Sequence, residues 1–232
     1  MVTTAQGRRG RRVADTRKRL VDSARALFLE RGYEATSTAD VLKKSKVNGG
    51  SLYYFFPAKE DLLLAVLDWY LDNLHPEVID PARARTDDPV ERVFAVLEGY
   101  RQMLTLTKFR MGCPVGNLAL EMSEKSQAVR LKIAQNFENW RAAIQAMLIA
   151  GQERFPADTD YEALASFILT VMEGGVMQAR AHRSIAPFEA SVALLRDYLN
   201  RLQTAAARDS GSKAKRRGNA VLHGPSTKEK RE

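Results

Sequence analysis

Apolar residues recur every three or four positions along most of the chain. Near the N-terminus this spacing predicts a helix from about Thr16 to Arg31 and a second helix of about two turns after Thr36-Ser37-Thr38. Lys46-Val47-Asn48 predicts a turn, and Gly49 to Phe56 predicts another short helix before a long amphipathic one. Two short helices joined by a short turn and bracketed by longer ones predict a helix-turn-helix unit.

The second of these short helices, within VNGGSLYYFF at residues 47–56, is unusually rich in aromatic side chains. A helix of two turns cannot hold itself in water, so we expect Leu52 and either Phe55 or Phe56 to anchor it to its neighbours. Tyr53 and Tyr54 have polar tips and are expected to reach outward. The glycines at its start let the backbone approach a phosphate or a base edge closely.

Four longer helical patterns follow a stretch rich in Pro, Asp and Arg, at 76–89, which we expect to connect two domains. The patterns begin at Val90, Val129, Leu164 and Phe188. Since no segment alternates convincingly in the manner of a strand, the sequence predicts an all-α fold. Glu173-Gly174-Gly175 lies inside the third pattern, where the glycines favour either close helix approach at a dimer seam or a kink at a ligand pocket.

The positive charge lies at the two ends of the chain. Residues 1–19 carry a net +6 and residues 204–232 a net +5, so of the total of +8 the remaining residues carry −3. We expect residues 1–15 to form a flexible basic arm and residues 204–232 a disordered basic tail. Basic arms are typical of proteins that bind a polyanion, and DNA is the commonest one. Two hypotheses follow. One is a sequence-specific DNA-binding protein that uses the helix-turn-helix unit, and the alternative is a nonspecific nucleic-acid-binding protein that acts through these arms.

Several classes of function find no support. A single cysteine, Cys113, and three well-separated histidines give no metal-ligand spacing, and no glycine loop for a nucleotide phosphate is present, so we expect neither metal nor cofactor. No pair of reactive side chains has a catalytic spacing, which argues against an enzyme. With no apolar run of about 20 residues and no signal peptide, we expect a cytoplasmic, nucleoid-associated protein without a membrane partner.

Two stretches carry a specific resemblance. Gly32-Tyr33-x-x-Thr36-Ser37 and Val47-x-x-Gly50-Ser51-Leu52-Tyr53-x-x-Phe56-x-x-Lys59-Glu60-Asp61-Leu62 resemble the N-terminal DNA-binding domain of the TetR family of transcriptional regulators, over residues 16–66. The resemblance implies that residues 67–203 form a helical ligand-binding and dimerisation domain. It also implies a homodimer through the last two long helices, at about 160–203. The dimer would act as a repressor on a palindromic double-stranded operator and respond to a small-molecule inducer.

The resemblance also assigns roles to individual residues. Thr36 or Ser37, at the cap of the second helix, would hold DNA phosphates together with Tyr53 and Lys59. Base edges would be approached by Ala39, Asn48, Gly49, Ser51 and Tyr54, with the backbone at Gly50 close to the DNA. Lys46 stands where the family usually has glycine. It must either adopt a positive φ or make a different turn, and it could add a phosphate contact.

Gly112-Cys113-Pro114-Val115-Gly116-Asn117-Leu118 resembles a segment found in the electrophile-responsive repressor of N-ethylmaleimide reductase, in which a cysteine is the sensor. Pro114 suits the first turn of a helix, whose dipole would favour a Cys113 thiolate, with Lys108 and Arg110 close in sequence. The alternative is that Cys113 is a small core residue. Aromatic and Met side chains could line a ligand pocket or belong to the core; they are Trp69, Tyr70, Tyr100, Met103, Phe109, Phe137, Trp140 and Met177.

Overall fold

A computed structural model describes residues 5–222, and every regular element in that range is helical. The N-terminal helices are α1 (Ala5–Arg31), α2 (Thr38–Ser45), α3 (Gly49–Phe55) and α4 (Lys59–Leu74). A π-helical turn (His75–Ile79) leads into α5 (Asp80–Arg85), followed by α6 (Pro89–Leu106), α7 (Pro114–Met122), α8 (Gln127–Ala150), a 3-10 turn (Gln152–Arg154), α9 (Tyr161–His182) and α10 (Ala186–Leu222). The predicted all-α fold is therefore confirmed.

Two hydrophobic clusters organise these helices. The first joins the helix-turn-helix region to α7 and to the start of α8, so that Leu20 and Leu63 share a core with Val115 and Val129. The second fills the space between α6, α8, α9 and α10 and includes the fully buried Phe188. Since α7 contributes to the first cluster, the second domain is packed directly against the helices that carry the helix-turn-helix unit.

The structure departs from the predicted elements in the segment between the two domains. Residues 75–85 are helical, although their proline content predicted a connecting loop. The residues before both elements are in the right-handed helical conformation, so the helix continues from α4, and the π-helical turn occurs where Pro76 lacks an N–H. Ile79 and Ala82 are buried, and this tertiary packing supplies the stability that the local sequence does not suggest.

The predicted flexible ends also differ. Helix α1 begins at Ala5 instead of about Thr16, and α10 continues through residues 204–222 of the predicted disordered tail. These extensions carry few apolar residues and so give no periodic signal, but Ala, Arg and Lys are good helix formers that extend an existing helix. The ends of the predicted arm and tail, residues 1–4 and 223–232, lie outside the described residues.

Within residues 5–222, no helix is long and apolar enough to span a membrane. The same range holds no cluster of three or more His, Cys, Asp or Glu side chains suited to a metal ion.

Candidate DNA interface and ligand cavity

The turn between α2 and α3 has three residues and is built around Lys46. Lys46 has φ of +55°, so it adopts the left-handed conformation in which glycine is favoured. The Arg19 side chain of α1 reaches this turn and donates hydrogen bonds to the backbone carbonyls of Ser45 and Lys46. We infer that Arg19 helps to hold the turn where the sequence lacks glycine. No pattern in the sequence around Arg19 predicted this role.

Helix α3 is anchored as the sequence predicted. Leu52 and Phe56 are buried, whereas Tyr53 and Tyr54 are 55% and 77% exposed. Asn48 is the N-cap, and its Oδ1 accepts a hydrogen bond of 2.8 Å from the Ser51 amide. The short helix therefore buries one face and presents two tyrosines on the other.

Around the start of α3, the polar candidates remain close to solvent. Asn48 and Gly50 are exposed, and Gly49 and Ser51 are partly exposed. Lys46 is also exposed and lies in the turn just before them. The backbone at this end of the helix is thus accessible to an anionic partner.

At the start of α2 the structure separates the two proposed hydroxyl contacts. Ser37 is the exposed N-cap, and it exchanges hydrogen bonds with Asp40 in a capping box. Thr36 is fully buried, and its hydroxyl donates to the Gly32 carbonyl at 2.8 Å. Of the two alternatives predicted for the phosphate contact, Thr36 or Ser37, only Ser37 has a hydroxyl that reaches solvent. Ala39 is exposed.

Lys59 begins α4 but is not a free surface cation. Its Nζ donates a 2.6 Å hydrogen bond to the Tyr33 carbonyl and lies 4.0 Å from the centroid of the Tyr33 ring. Burial lowers the pKa of Lys59, against the opposing effect of the Glu34 carboxylate. Lys59 therefore ties the start of α4 to the α1–α2 connection and is only partly available to a phosphate.

Two further basic side chains near the turn were not identified from the sequence. Lys43 and Lys44 are exposed on the last turn of α2, immediately before the Lys46 turn. The run Lys43-Lys44-x-Lys46 was a visible signal, since three cations within four residues suit a polyanion.

A cavity of about 390 Å³ lies between the helix-turn-helix region and the second domain. Its walls come from α1, α4, α6, α7 and α8, together with the segments that precede α5 and α7. Of the proposed ligand residues, Tyr100, Cys113 and Trp140 line it, as do Trp69, Tyr70 and Met103. Phe109, Phe137 and Met177 are not among its lining residues, so the role of Phe109 in the ligand site stays a prediction that this cavity does not support. Phe109 instead packs against the second core cluster.

Cys113 lies at the N-cap of α7, as its position before Pro114 predicted. Its Sγ accepts a hydrogen bond of 3.4 Å from the Gly116 amide. However, the side chain is only 2% exposed, and burial together with the neighbouring Glu173 carboxylate raises the pKa of the thiol well above its usual range. Burial therefore opposes the predicted effect of the helix dipole and disfavours a thiolate, and the predicted cationic neighbours Lys108 and Arg110 are exposed.

Glu173, from α9, is the charged residue that faces Cys113. A Cβ on Gly116 would lie 2.4 Å from Glu173 Oε2, so only glycine there allows the carboxylate to approach the start of α7. Its Oε1 is buried and has no hydrogen-bond partner among the residues that the structure describes, and burial raises the pKa of this carboxyl group. Sequence periodicity placed Glu173 within a helix but gave no indication of this contact.

The far end of α7 contacts the DNA-binding region directly. Glu121 accepts hydrogen bonds from the Tyr33 amide at 2.8 Å and from the Glu34 amide at 2.6 Å. Gly32, with φ of +88°, ends α1 and has no Cβ to obstruct this carboxylate. Lys125 adds a salt bridge of 2.8 Å to Glu34. Helix α7 therefore runs from the Cys113 wall of the cavity to the connection between α1 and α2.

The two glycines of α9 have different environments. A Cβ on Gly175 would lie 2.9 Å from the Phe188 ring, whereas a Cβ on Gly174 would meet nothing within 4 Å. Close helix approach does explain Gly175, but the approach is between α9 and α10 of the same chain. Neither of the two predicted explanations, close approach at a dimer interface or a kink at a ligand pocket, is needed to account for glycine at position 175.

A helix-turn-helix unit whose second helix, α3, presents exposed side chains, packed on a helical domain with a cavity between the two, is typical of a DNA-binding transcriptional regulator. Residues 20–66 match the family described as bacterial regulatory proteins of the tetR family, and residues 89–193 match the C-terminal domain of LmrA/YxaF-like transcriptional regulators. The chain is 31% identical over 188 residues to an uncharacterized HTH-type transcriptional regulator of Mycobacterium tuberculosis, covering 79% of this chain and 93% of that one. The protein belongs to the TetR family, whose members are transcriptional regulators and bind DNA as dimers.

Two further comparisons, with a related repressor and with a solved structure, are consistent with this family and its fold. The HTH-type transcriptional repressor DhaR of Mycobacterium sp. (strain GP1) is 29% identical over 175 residues, covering 75% of this chain and 86% of the relative. The crystal structure of Escherichia coli NemR in its reduced form superposes with a TM-score of 0.68 at 24% identity, covering 79% of this chain and 96% of that one. At that identity the structural likeness establishes the fold alone.

Proposed function

We propose that this regulator is a homodimeric repressor, acting at the cytoplasmic nucleoid, that leaves a palindromic operator when a small molecule fills the cavity. The observation that carries the proposal is the composition of the cavity walls. Helices α1 and α4 form one side, and α6, α7 and α8 form the other, so a ligand would contact both the DNA-binding helices and the second domain. A ligand with different affinities for two relative positions of these helices shifts the population between them.

On DNA, α3 of each subunit would enter the major groove. Ser37, Tyr53 and the partly available Lys59 would contact phosphates, with Lys43, Lys44 and Lys46 as further cations. Ala39, Asn48, Gly49, Ser51 and Tyr54 would lie near base edges, and Gly50 would let the backbone approach. Phosphate contacts position the protein, whereas base contacts specify the sequence.

The DNA contacts can be tested with DNA selected by the wild-type protein from a random pool, compared with unselected DNA. Tyr53→Phe removes a phosphate-facing hydroxyl and should weaken binding to both kinds of DNA by a similar factor. Tyr54→Ala should reduce affinity for selected DNA more than for unselected DNA, because it removes the most exposed aromatic side chain of α3. Equal effects of both variants on both DNAs would refute this assignment of roles.

The dimer would form through α9 and α10, over about residues 160–203. Large apolar side chains stay exposed on these helices; they are Phe167, Met177, Leu194 and Tyr198. The Phe167 and Tyr198 rings contact each other edge to face with centroids 5.8 Å apart. Because such a concentration of exposed apolar side chains on two adjacent helices is typical of an interface, we expect a second copy of the chain to cover it.

Leu194→Asp tests this interface, with Leu120→Asp as its control. The two leucines are similarly exposed, at 72% and 75%, but Leu120 lies on α7 and outside the proposed interface. Sedimentation velocity should show a monomer for Leu194→Asp and a dimer for Leu120→Asp. A dimer in both would place the interface elsewhere.

Of the two predicted causes of release from the operator, a reversible ligand is favoured over modification of Cys113. The buried thiol with a raised pKa reacts slowly with electrophiles, whereas the same side chain is part of the cavity wall. Gel shifts on selected DNA should therefore show release by a cavity ligand in both wild type and Cys113→Ser. Release by a mild thiol electrophile in wild type, together with none in Cys113→Ser, would instead establish the cysteine as the sensor.

The basic ends would add nonspecific affinity to this specific binding. Deleting residues 204–232 should weaken binding to unselected DNA and reduce its salt dependence while preserving the preference for selected DNA. Loss of all binding on that deletion would favour the alternative, a nonspecific nucleic-acid-binding protein that acts through its arms.

A further inference from the structure

The wall of the ligand cavity contains a half-buried arginine side chain, Arg25. Arg25 projects from α1, and its guanidinium carbon lies 3.6 Å from the centroid of the Trp69 ring. Its Nε is buried and makes no hydrogen bond within the described residues. A buried N–H donor on a charged group is costly to leave without an acceptor, so the Nε–H of Arg25 points to an acceptor that is supplied from outside the chain.

Two phenol groups lie in the same cavity wall. Burial raises the pKa of Tyr70, opposed in part by the Arg25 charge, and raises that of Tyr100 well above its usual range. Both side chains therefore remain protonated at neutral pH and keep an O–H that can donate a hydrogen bond. The cavity wall thus combines one cation with two neutral phenols, of which Tyr100 also has the Cys113 thiol as a hydrogen-bond partner.

The remaining walls suit an apolar body. Trp69, Met103 and Trp140 supply aromatic and thioether surface. The acidic side chain among the lining residues, Glu77, is solvent-exposed, so water can solvate its charge. The volume of about 390 Å³ lies near the lower end of the range of roughly 300–1,000 Å³ that is typical of small-molecule sites.

We propose that the cavity binds a small aromatic carboxylate, with the carboxylate on Arg25 and the aromatic body between Trp69, Met103 and Trp140. This inference rests on the proposed function, since it names the chemical class of the ligand that fills the same cavity. Arginine suits a carboxylate because its planar guanidinium can donate two parallel hydrogen bonds.

The position of Arg25 also connects the ligand to DNA binding. Arg19, on the same helix, donates to the carbonyls of the turn between α2 and α3. A carboxylate that pairs with Arg25 therefore acts on α1, the helix that holds this turn. The ligand would bias the orientation of the recognition helix without contacting it.

Tryptophan fluorescence provides a direct measurement, because both tryptophans of the chain line the cavity. The probes are 4-phenylbutanoate and biphenyl-4-carboxylate, each compared with its neutral primary amide. We expect each acid to bind wild type at least about tenfold more tightly than its amide, because a charge-assisted pair is stronger than a neutral hydrogen bond.

Arg25→Met should abolish this preference while keeping an apolar side chain of similar length. Arg17→Met is the matched control, because Arg17 also lies on α1 near an aromatic ring, 5.4 Å from the Phe56 centroid, but outside the cavity. Arg25→Lys retains the charge but lacks the planar guanidinium that donates two parallel hydrogen bonds. This variant should still prefer acids to amides but bind the acids more weakly than wild type does. This variant also tests the proposal if Arg25→Met does not fold.

Equal affinities for acids and amides in wild type, or no binding of either class, would overturn the proposed ligand class. A preference that survives in Arg25→Met would also overturn it. A parallel gel shift on selected DNA separates this result from the proposed function. Acids that bind the protein without releasing DNA would support the ligand class and refute induction through the cavity, whereas release by an uncharged compound alone would do the reverse.

Discussion

Replacing Glu121 by Gln should uncouple α7 from the DNA-binding region. The carboxylate accepts two backbone hydrogen bonds, from the Tyr33 and Glu34 amides. Hydrogen bonds to a charged acceptor contribute about 1.5–3 kcal/mol each, and partial exposure of this site places them at the lower end. Gln keeps one neutral bond of about 1 kcal/mol and turns its NH₂ group toward the other amide, so we expect the free energy of unfolding to fall by about 2 kcal/mol.

Urea denaturation of the purified protein, followed by circular dichroism, measures this loss. Glu124→Gln is the control, because Glu124 lies three residues further on and is exposed, and surface substitutions of this kind usually change stability by less than about 0.5 kcal/mol. If α7 transmits ligand binding, Glu121→Gln should also release DNA less completely at saturating ligand. Denaturation curves for Glu121→Gln and Glu124→Gln that coincide would refute the assigned role of α7.

Three further outcomes follow from the structure. Glu173→Gln should stabilise the protein relative to wild type, because the fold raises the pKa of Glu173 and disfavours its ionised form. This difference in stability should grow as the pH rises above the ordinary Glu pKa of about 4.3. Urea denaturation that shows no pH-dependent difference between the two proteins would contradict this prediction. In thermal denaturation, Gly175→Ala should lower the stability of the protein by about 1 kcal/mol, because overpacking against Phe188 outweighs the gain in helix propensity. Gly174→Ala should not destabilise the protein. A Gly174→Ala variant less stable than Gly175→Ala would exclude this packing. Asn48→Ala should remove about 1 kcal/mol of N-cap stabilisation and weaken DNA binding in gel shifts, and an unchanged melting temperature would argue against the cap.

Much of the DNA-binding unit could be predicted from the sequence because its signals are local. The periodicity of α1 to α4, the polar cap at Asn48 and the burial of Leu52 depend on residues within a few positions of one another. The same reasoning left Thr36 and Ser37 as alternatives, because both can cap a helix. Only the packed structure separated them, by burying Thr36 against the end of α1.

Electrostatic properties proved least predictable from neighbours in the sequence. Cys113 was expected to be influenced by Lys108 and Arg110, but Glu173, sixty residues further along the chain, is the charge that affects it. The pKa of a thiol depends on its solvation and on every charge within a few ångströms, and both are set by how the helices pack. Lys59 is a similar case, since its contact with Tyr33 joins the start of α4 to the connection between α1 and α2.

By itself, the sequence determined the helical fold, the helix-turn-helix unit and the family, because these depend on the spacing of apolar, glycine and capping residues that lie close together in the sequence. The tertiary structure alone decided which side chains meet from distant segments. It placed Arg25 in the cavity beside Trp69, and it brought Glu121 to the Tyr33 amide across 88 positions of sequence. The physical reason is that burial and charge pairing depend on distances in space, which helical periodicity does not specify.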